Sequence, residues 1–232
     1  SYSSRGSNIL VAAGGSATPS AEGVLTTDIE GTGGYTSGDY TSFNGTSAAA
    51  PIVSGVIALM LEANDGLGWR DVQNILAYSA THLGSTPGSA PTGREYFGWD
   101  FNGASNWNGG GLHYSEDYGY GQVNAYNAVR MAEVWHLFTT AQQSANERHF
   151  TLSTSEDKVI PTTGTVDYVL TAGGGTPDME IESVDVTITL QHTYFGDLRI
   201  ELISPDGVVY SLFDIPVNGY SGTADNGLTW TF

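Results

Sequence analysis

The sequence predicts an α/β segment followed by an all-β antiparallel sandwich. A strand signal near the start, Asn8 to Ala13, is followed by three stretches whose apolar residues recur at helical spacing. Past Phe150 the apolar period drops from 3.6 to 2, the mark of strands with one covered face.

Residues 1 to about 47 are rich in Gly, Ser and Thr, and their clearest strand signal is the run Ile9, Leu10, Val11. The stretch from Ala48 to Glu62 is apolar around its whole circumference, which predicts a buried helix. A second helix is predicted over "WRDVQNILAYSATHL", with Val72, Ile75, Leu76 and Ser79 on one face. The third, "NAYNAVRMAEVW", has Asn124 in N-cap position and shares a face among Ala128, Val129, Ala132 and Trp135. A Gly/Asn-rich loop with many aromatic residues, Gly84 to Gly121, joins the last two, and "TTAQQSANER" then reads as a linker.

In the sandwich, Val184, Val186, Ile188, Leu198, Ile200 and Leu202 alternate with polar residues and are expected to face the interior. "SPDG" places Pro205 and Gly207 where a type I turn prefers them. Val208 to Phe213 is the next strand, and Leu228, Trp230 and Phe232 begin another. The sequence stops inside that alternation, so the sandwich is expected to be incomplete.

With 232 residues the chain has room for one or two domains, and its 40% hydrophobic content supports a core. Only 14% of residues are charged, yet the formal net charge is −18. So acidic a chain repels phosphate backbones, which argues against nucleic acid and anionic membrane surfaces as partners. The longest apolar run, Ile52 to Leu61, is interrupted by Ser54 and Gly55 and reads as too short to span a bilayer. No signal peptide is visible, and "SYSSRGSNILVAAGG" reads as a beginning in mid-domain. The absence of cysteine removes disulfides, thiolate catalysis and Cys-based zinc sites.

In "FNGTSAAAPIVSGVIALMLEAN", Ser47 stands where a polar turn becomes the long apolar segment. A nucleophilic serine needs a rigid perch, a backbone N–H aimed at the developing oxyanion and a helix dipole. The first turn of a buried helix supplies all three. Gly45 permits a tight turn, Thr46 adds a hydroxyl, and Ala48, Ala49 and Ala50 leave room for a substrate. Pro51 is expected within the first turn, where its missing N–H is no loss. The G-x-S-x-G elbow does not fit, because position 49 is Ala.

"NGTSAAAP" resembles the active-site serine motif of the subtilisin-like serine proteases, the subtilases. "YSSRGSNILVAAGG" is similar to the strand and turn that lead toward that serine, with Gly15 where many members have proline. "GVLTTDIEG", "LEANDGLGWRDVQ" and "YGYGQVNA" resemble the kexin/furin-type branch, and "VTITLQHTYFGDLRIELISPDG" resembles a segment of its P domain. The resemblance implies three parts. Residues 1–136 would be the C-terminal portion of a subtilisin-like, parallel-sheet catalytic domain, 137–149 a linker, and 150–232 an incomplete, jelly-roll-like P domain.

It further implies a secreted, periplasmic or extracellular serine endopeptidase that cleaves polypeptides through an acyl-enzyme on Ser47. The Ser47 N–H would form half of the oxyanion hole, with the Thr46 hydroxyl in support. The triad His and Asp and the oxyanion Asn are expected in an upstream catalytic-domain segment. Accordingly His82, His113, His136, His149 and His192, all downstream of Ser47, are expected to be structural. No cofactor or metal is assigned to these residues, and the resemblance allows calcium in the full-length protein. The branch's calcium glutamate aligns with about Arg5, a cation that argues against that ligand set. Solvated surface charge is the preferred reading of Asp100, Glu116 and Asp117, and turn chemistry that of Asp197 and Asp206. The competing expectations are a non-catalytic binding module built on the P-domain sandwich, or a structural fragment without chemistry.

Overall fold

The computed structural model describes residues 3–15, 23–101, 112–172, 181–205, 207–214 and 227–232. Three helices carry its core: α1 (Thr46–Ala63), α2 (Trp69–Ser79) and α3 (Ala125–Val134). Val56 and Met60 of α1, Ile75 and Leu76 of α2, and Ala128, Ala132 and Trp135 from α3 and its end form one buried cluster. The small residues of α3 let α1 approach closely, and Asn64 at the end of α1 donates from Nδ2 to the Ala132 carbonyl at 2.9 Å. The predicted N-cap at Asn124 is present, its side chain accepting from the Asn127 N–H at 3.0 Å.

The helix over Ala48 to Glu62 begins earlier, at Thr46, and is not buried all round. Ala48, Val56 and Met60 are its buried residues, while Leu59 and Leu61 are 54% and 40% exposed. One face meets α3, and an all-round apolar composition does not by itself supply a second covering layer. Contrary to the expectation from the interrupted run, the helix is long and apolar enough to cross a membrane by length and composition alone, with 18 residues and a mean hydropathy of 1.6. Its Val56 and Met60 pack with Ala128 and Ala132 of α3 in the buried cluster.

Asn8 to Ala13 pairs through isolated bridges rather than as a full strand, Val11 with Gly119 and, in parallel, Ala12 with Gln122. Gly119 has φ +63°, and a Cβ there would lie 2.3 Å from the Leu10 carbonyl oxygen, so "YGYG" permits this close crossing. A hairpin absent from the sequence-based expectation joins β1 (Val24–Thr27) to β2 (Tyr40–Phe43), with Val24 opposite Phe43. Its loop is tied by Asp28, whose carboxylate accepts from the N–H groups of Ile29 (2.8 Å) and Thr36 (2.7 Å). Asp100–Phe101 (β3) and His113–Tyr114 (β4) form a short antiparallel pair.

Two antiparallel ribbons follow among the described residues: β5 (Thr187–Leu190) with β8 (Leu228–Thr231), and β6 (Arg199–Ile203) with β7 (Val209–Asp214). Alternation is as expected along β5 and β6, with Ile188, Ile200 and Leu202 more covered than their neighbours. Val184 departs from the expectation and is 52% exposed. Backbone pairing begins only at Val186, which exchanges two hydrogen bonds with Phe232, so Val184 precedes the covered ladder. The turn before β7 closes as expected, Gly207 N–H donating to the Ser204 carbonyl at 2.9 Å. Asp206, and residues 102–111 of the loop between Gly84 and Gly121, lie outside the described residues.

Within the expected linker, residues 142–146 form a strap. Ser144–Asn146 form a 3₁₀ turn, and residues 142–146 lie against the start of α2. Polar groups there hydrogen-bond with Trp69, Arg70 and Asp71.

Candidate active site

Gly45 is the N-cap of α1 with φ 101°, a conformation that favours glycine. Its N–H donates to the Gly15 carbonyl at 2.7 Å, and a Cβ on Gly15 would lie 2.5 Å from the Gly45 oxygen. Glycine at both positions therefore lets the chain after Ala13 reach the helix start. Ala48 and Ala49 N–H groups turn back to the Gly45 carbonyl at 3.0 and 3.2 Å. The two preceding N–H groups, of Thr46 and Ser47, lie ahead of the intrahelical ladder, where helix starts leave donors free for an anion.

Ser47 and Thr46 are both exposed at this terminus. Among the described residues none hydrogen-bonds the Ser47 hydroxyl. Because the helix starts at Thr46, Pro51 falls in the second turn and not the first as expected. Its missing N–H leaves the Ser47 carbonyl without the usual partner four residues on. The arrangement combines an exposed hydroxyl, backbone donors and the positive end of an 18-residue helix. It can stabilise an oxyanion, but a serine hydroxyl needs a base to attack.

The histidines lie in other settings. His82 and His113 meet edge to face at 5.6 Å between ring centroids and both contact Trp99. Burial, and then His82, push the His113 pKa down. His136 is exposed, His149 pairs with Glu147 at 3.2 Å, and His192 faces the Tyr194 backbone.

The acidic residues separate in the same way. Asp117 is not the solvated charge expected of it. Its carboxylate pairs with Arg5 at 2.5 Å and accepts from the N–H groups of Tyr96 (2.6 Å) and Phe97 (2.8 Å). Arg5 also lies over the Tyr96 ring, 5.0 Å from its centroid. Burial resists ionisation of Glu95, but the Thr92 and Ser85 N–H donors outweigh it and hold its pKa down. Among the described residues no three His, Asp or Glu side chains are grouped so as to hold a metal.

The polar residues that sequence reasoning missed are Arg70 and Asp71, both buried at the start of α2. Asp71 accepts from Gly68 N–H (2.7 Å), Gln142 N–H (2.8 Å) and Trp135 Nε1 (2.7 Å). A surface-helix reading of "WRDVQ" hides them; the available signal was an acidic residue at N3, where a carboxylate can cap its own helix.

A family model described as the subtilase family matches residues 1–121, and one described as the proprotein convertase P-domain matches residues 181–232. Furin of Rattus norvegicus is 33% identical over 197 residues, which are 82% of this chain and 22% of furin. Kexin of Candida albicans (strain WO-1) is 31% identical over 237 residues, covering 92% of this chain and 22% of kexin. The chain thus spans about a fifth of the length of these curated relatives. In a solved complex of Aeromonas sobria serine protease with its chaperone, the protease is 25% identical with a TM-score of 0.51. That match covers 92% of this chain and 40% of the protease.

Proposed function

We propose that this chain, which belongs to the subtilase family, carries the nucleophile of a kexin-type serine endopeptidase at Ser47. What supports the reading most is one observation: an exposed serine hydroxyl in the first turn of α1, beside backbone N–H groups that the helix does not use. In the proposed reaction Ser47 Oγ attacks the scissile carbonyl of a polypeptide while a histidine takes its proton. The Ser47 N–H, with the Thr46 hydroxyl in support, receives the oxyanion. The tetrahedral adduct collapses to an acyl-enzyme as that histidine returns the proton to the leaving amine. Water then attacks the acyl carbon by the same route, releases the second product and restores the Ser47 hydroxyl.

The base, its aspartate and the oxyanion asparagine come from catalytic-domain residues outside 1–232. No step above passes through calcium. Similarity to kexin and furin supports a secretory or extracellular setting for the whole protein.

The test is covalent labelling with an active-site-directed fluorophosphonate. Residues 1–232 alone are expected to remain unlabelled, because an unassisted serine hydroxyl stays protonated near neutral pH. Addition of the upstream catalytic-domain segment in trans is expected to give labelling at Ser47. Labelling of the bare chain at Ser47 would place the base among the five histidines here, and labelling elsewhere would remove Ser47 from the reaction.

A further inference from the structure

The geometry points to a clasp at Gly68-Trp69-Arg70-Asp71, the start of α2, that holds strap 142–146 and, through Arg70 and Glu182, docks the C-terminal sandwich. Every residue of the tetrapeptide touches the strap. Gly68 lies so close that a Cβ would fall 1.9 Å from the Gln142 carbonyl oxygen. Trp69 Nε1 donates to Ser144 Oγ at 3.0 Å, and Asp71 accepts the Gln142 N–H at 2.8 Å.

Arg70 occupies the crossing point. Its Nη1 donates to the Gln143 carbonyl at 2.7 Å, and its Nη2 to Gln142 Oε1 at 2.7 Å and Asn146 Oδ1 at 3.1 Å. The remaining edge, Nε, donates to Glu182 Oε2 at 2.6 Å. Glu182 is the second residue of the segment that matches the P-domain family. One guanidinium, 8% exposed, therefore joins the helical part, the strap and the sandwich. Only arginine offers a planar set of five N–H donors that can meet four acceptors at once, and a lysine ammonium has three.

The arms are separable. Three of the four bonds hold the strap, and the fourth alone reaches the sandwich segment. Loss of the Glu182 charge should free the sandwich and leave the strap in place, whereas loss of the fork should free both. This is a docking device independent of the role of Ser47.

Hydrogen–deuterium exchange, read by mass spectrometry on the full polypeptide, tests it. Arg70→Lys is expected to speed exchange across 141–147 and 181–190 at least tenfold. Glu182→Gln is expected to speed 181–190 at least threefold while 141–147 stays within twofold of the parent. Unchanged exchange of 141–147 in Arg70→Lys overturns the clasp. Equal acceleration of both segments in Glu182→Gln, or of neither, overturns the separate sandwich arm. Should Arg70→Lys lose protection throughout, Glu182→Gln decides the proposal alone, since its side chain lies at the edge of the contact.

Discussion

The helical part and the sandwich part bury their apolar residues to different depths, although both have the right periodicity. Met60, Ile75, Leu76, Ala128, Ala132 and Trp135 form one buried cluster in the first. Among the described residues after Trp135 none is buried; the covered positions of β5 and β6 are only half-buried. A helix pair closes its core through contacts between two rods. A two-stranded ribbon covers one face only when another layer lies on it. Phe213 of β7 contacts Phe232 next to β8, and also Phe195 before β6, with ring centroids 6.4 Å apart in each pair.

The sharpest test of this contrast is a pair of aspartates. Asp71→Ala leaves the N–H groups of Gly68 and Gln142 and the Trp135 indole without their acceptor. It is expected to cost about 3–5 kcal/mol, the range for breaking a buried charged network. Asp197→Ala, at an exposed turn before β6, is expected to stay within about 0.5 kcal/mol. Denaturant unfolding of each variant compares them, and equal losses would mean that the sandwich turn is as deeply built as the helical junction.

Apolar truncation gives the next largest difference. Met60→Ala removes a fully buried side chain and is expected to cost about 2–5 kcal/mol. Ile200→Ala removes a half-covered one and is expected to cost about 1 kcal/mol. A loss at Ile200 equal to that at Met60 would reveal a second layer over β6.

What the sequence made legible follows the same divide. The helix faces of α2 and α3, the Asn124 cap and the β6 alternation all express local chemistry, and local chemistry is written in neighbouring residues. α1 starts at Thr46, two residues before the expected Ala48, which puts Pro51 in the second turn rather than the first. The exposure of Ser47 could be expected because a glycine turn fixes where the helix begins. Partnerships between distant segments were not legible. Nothing near Asp71 announces Gln142, nothing near Asp117 announces Arg5, and the even-handed apolarity of α1 does not say which face is covered.

Acid should also act unequally on the two parts. His113 sits against His82 and Trp99, and burial first, then His82, hold its pKa below the ordinary value. A histidine so depressed binds fewer protons folded than unfolded. Its contribution is therefore complete above the unfolded value of about 6.5 and is lost as pH falls through the folded value. The helical part should lose stability below about pH 6.5, and His113→Gln should flatten that slope. Asp28 and Glu95, both held below their ordinary range by N–H donors, add a separate loss below about pH 4. A slope unchanged in His113→Gln would move the titration to another group.

The smallest effect is expected on the exposed threonine ladder of the sandwich. The hydroxyls of Thr187 and Thr231 lie 2.8 Å apart across β5 and β8, as do those of Thr189 and Thr229. Both pairs are exposed, so water replaces either partner at little cost. Thr231→Val keeps the β-branched shape that suits a strand and removes only the hydroxyl. Cross-strand pairs contribute roughly 0.2–1 kcal/mol, and with shape retained the change should fall below about 0.5 kcal/mol. Thr231→Gly, which also removes the side chain that stiffens the strand, should cost more, roughly 1 kcal/mol. Unfolding measured by a probe at Trp230, the neighbour in β8, separates the two. A Thr231→Val loss as large as that of Thr231→Gly would show that hydroxyl pairing, not strand shape, holds β8 to β5.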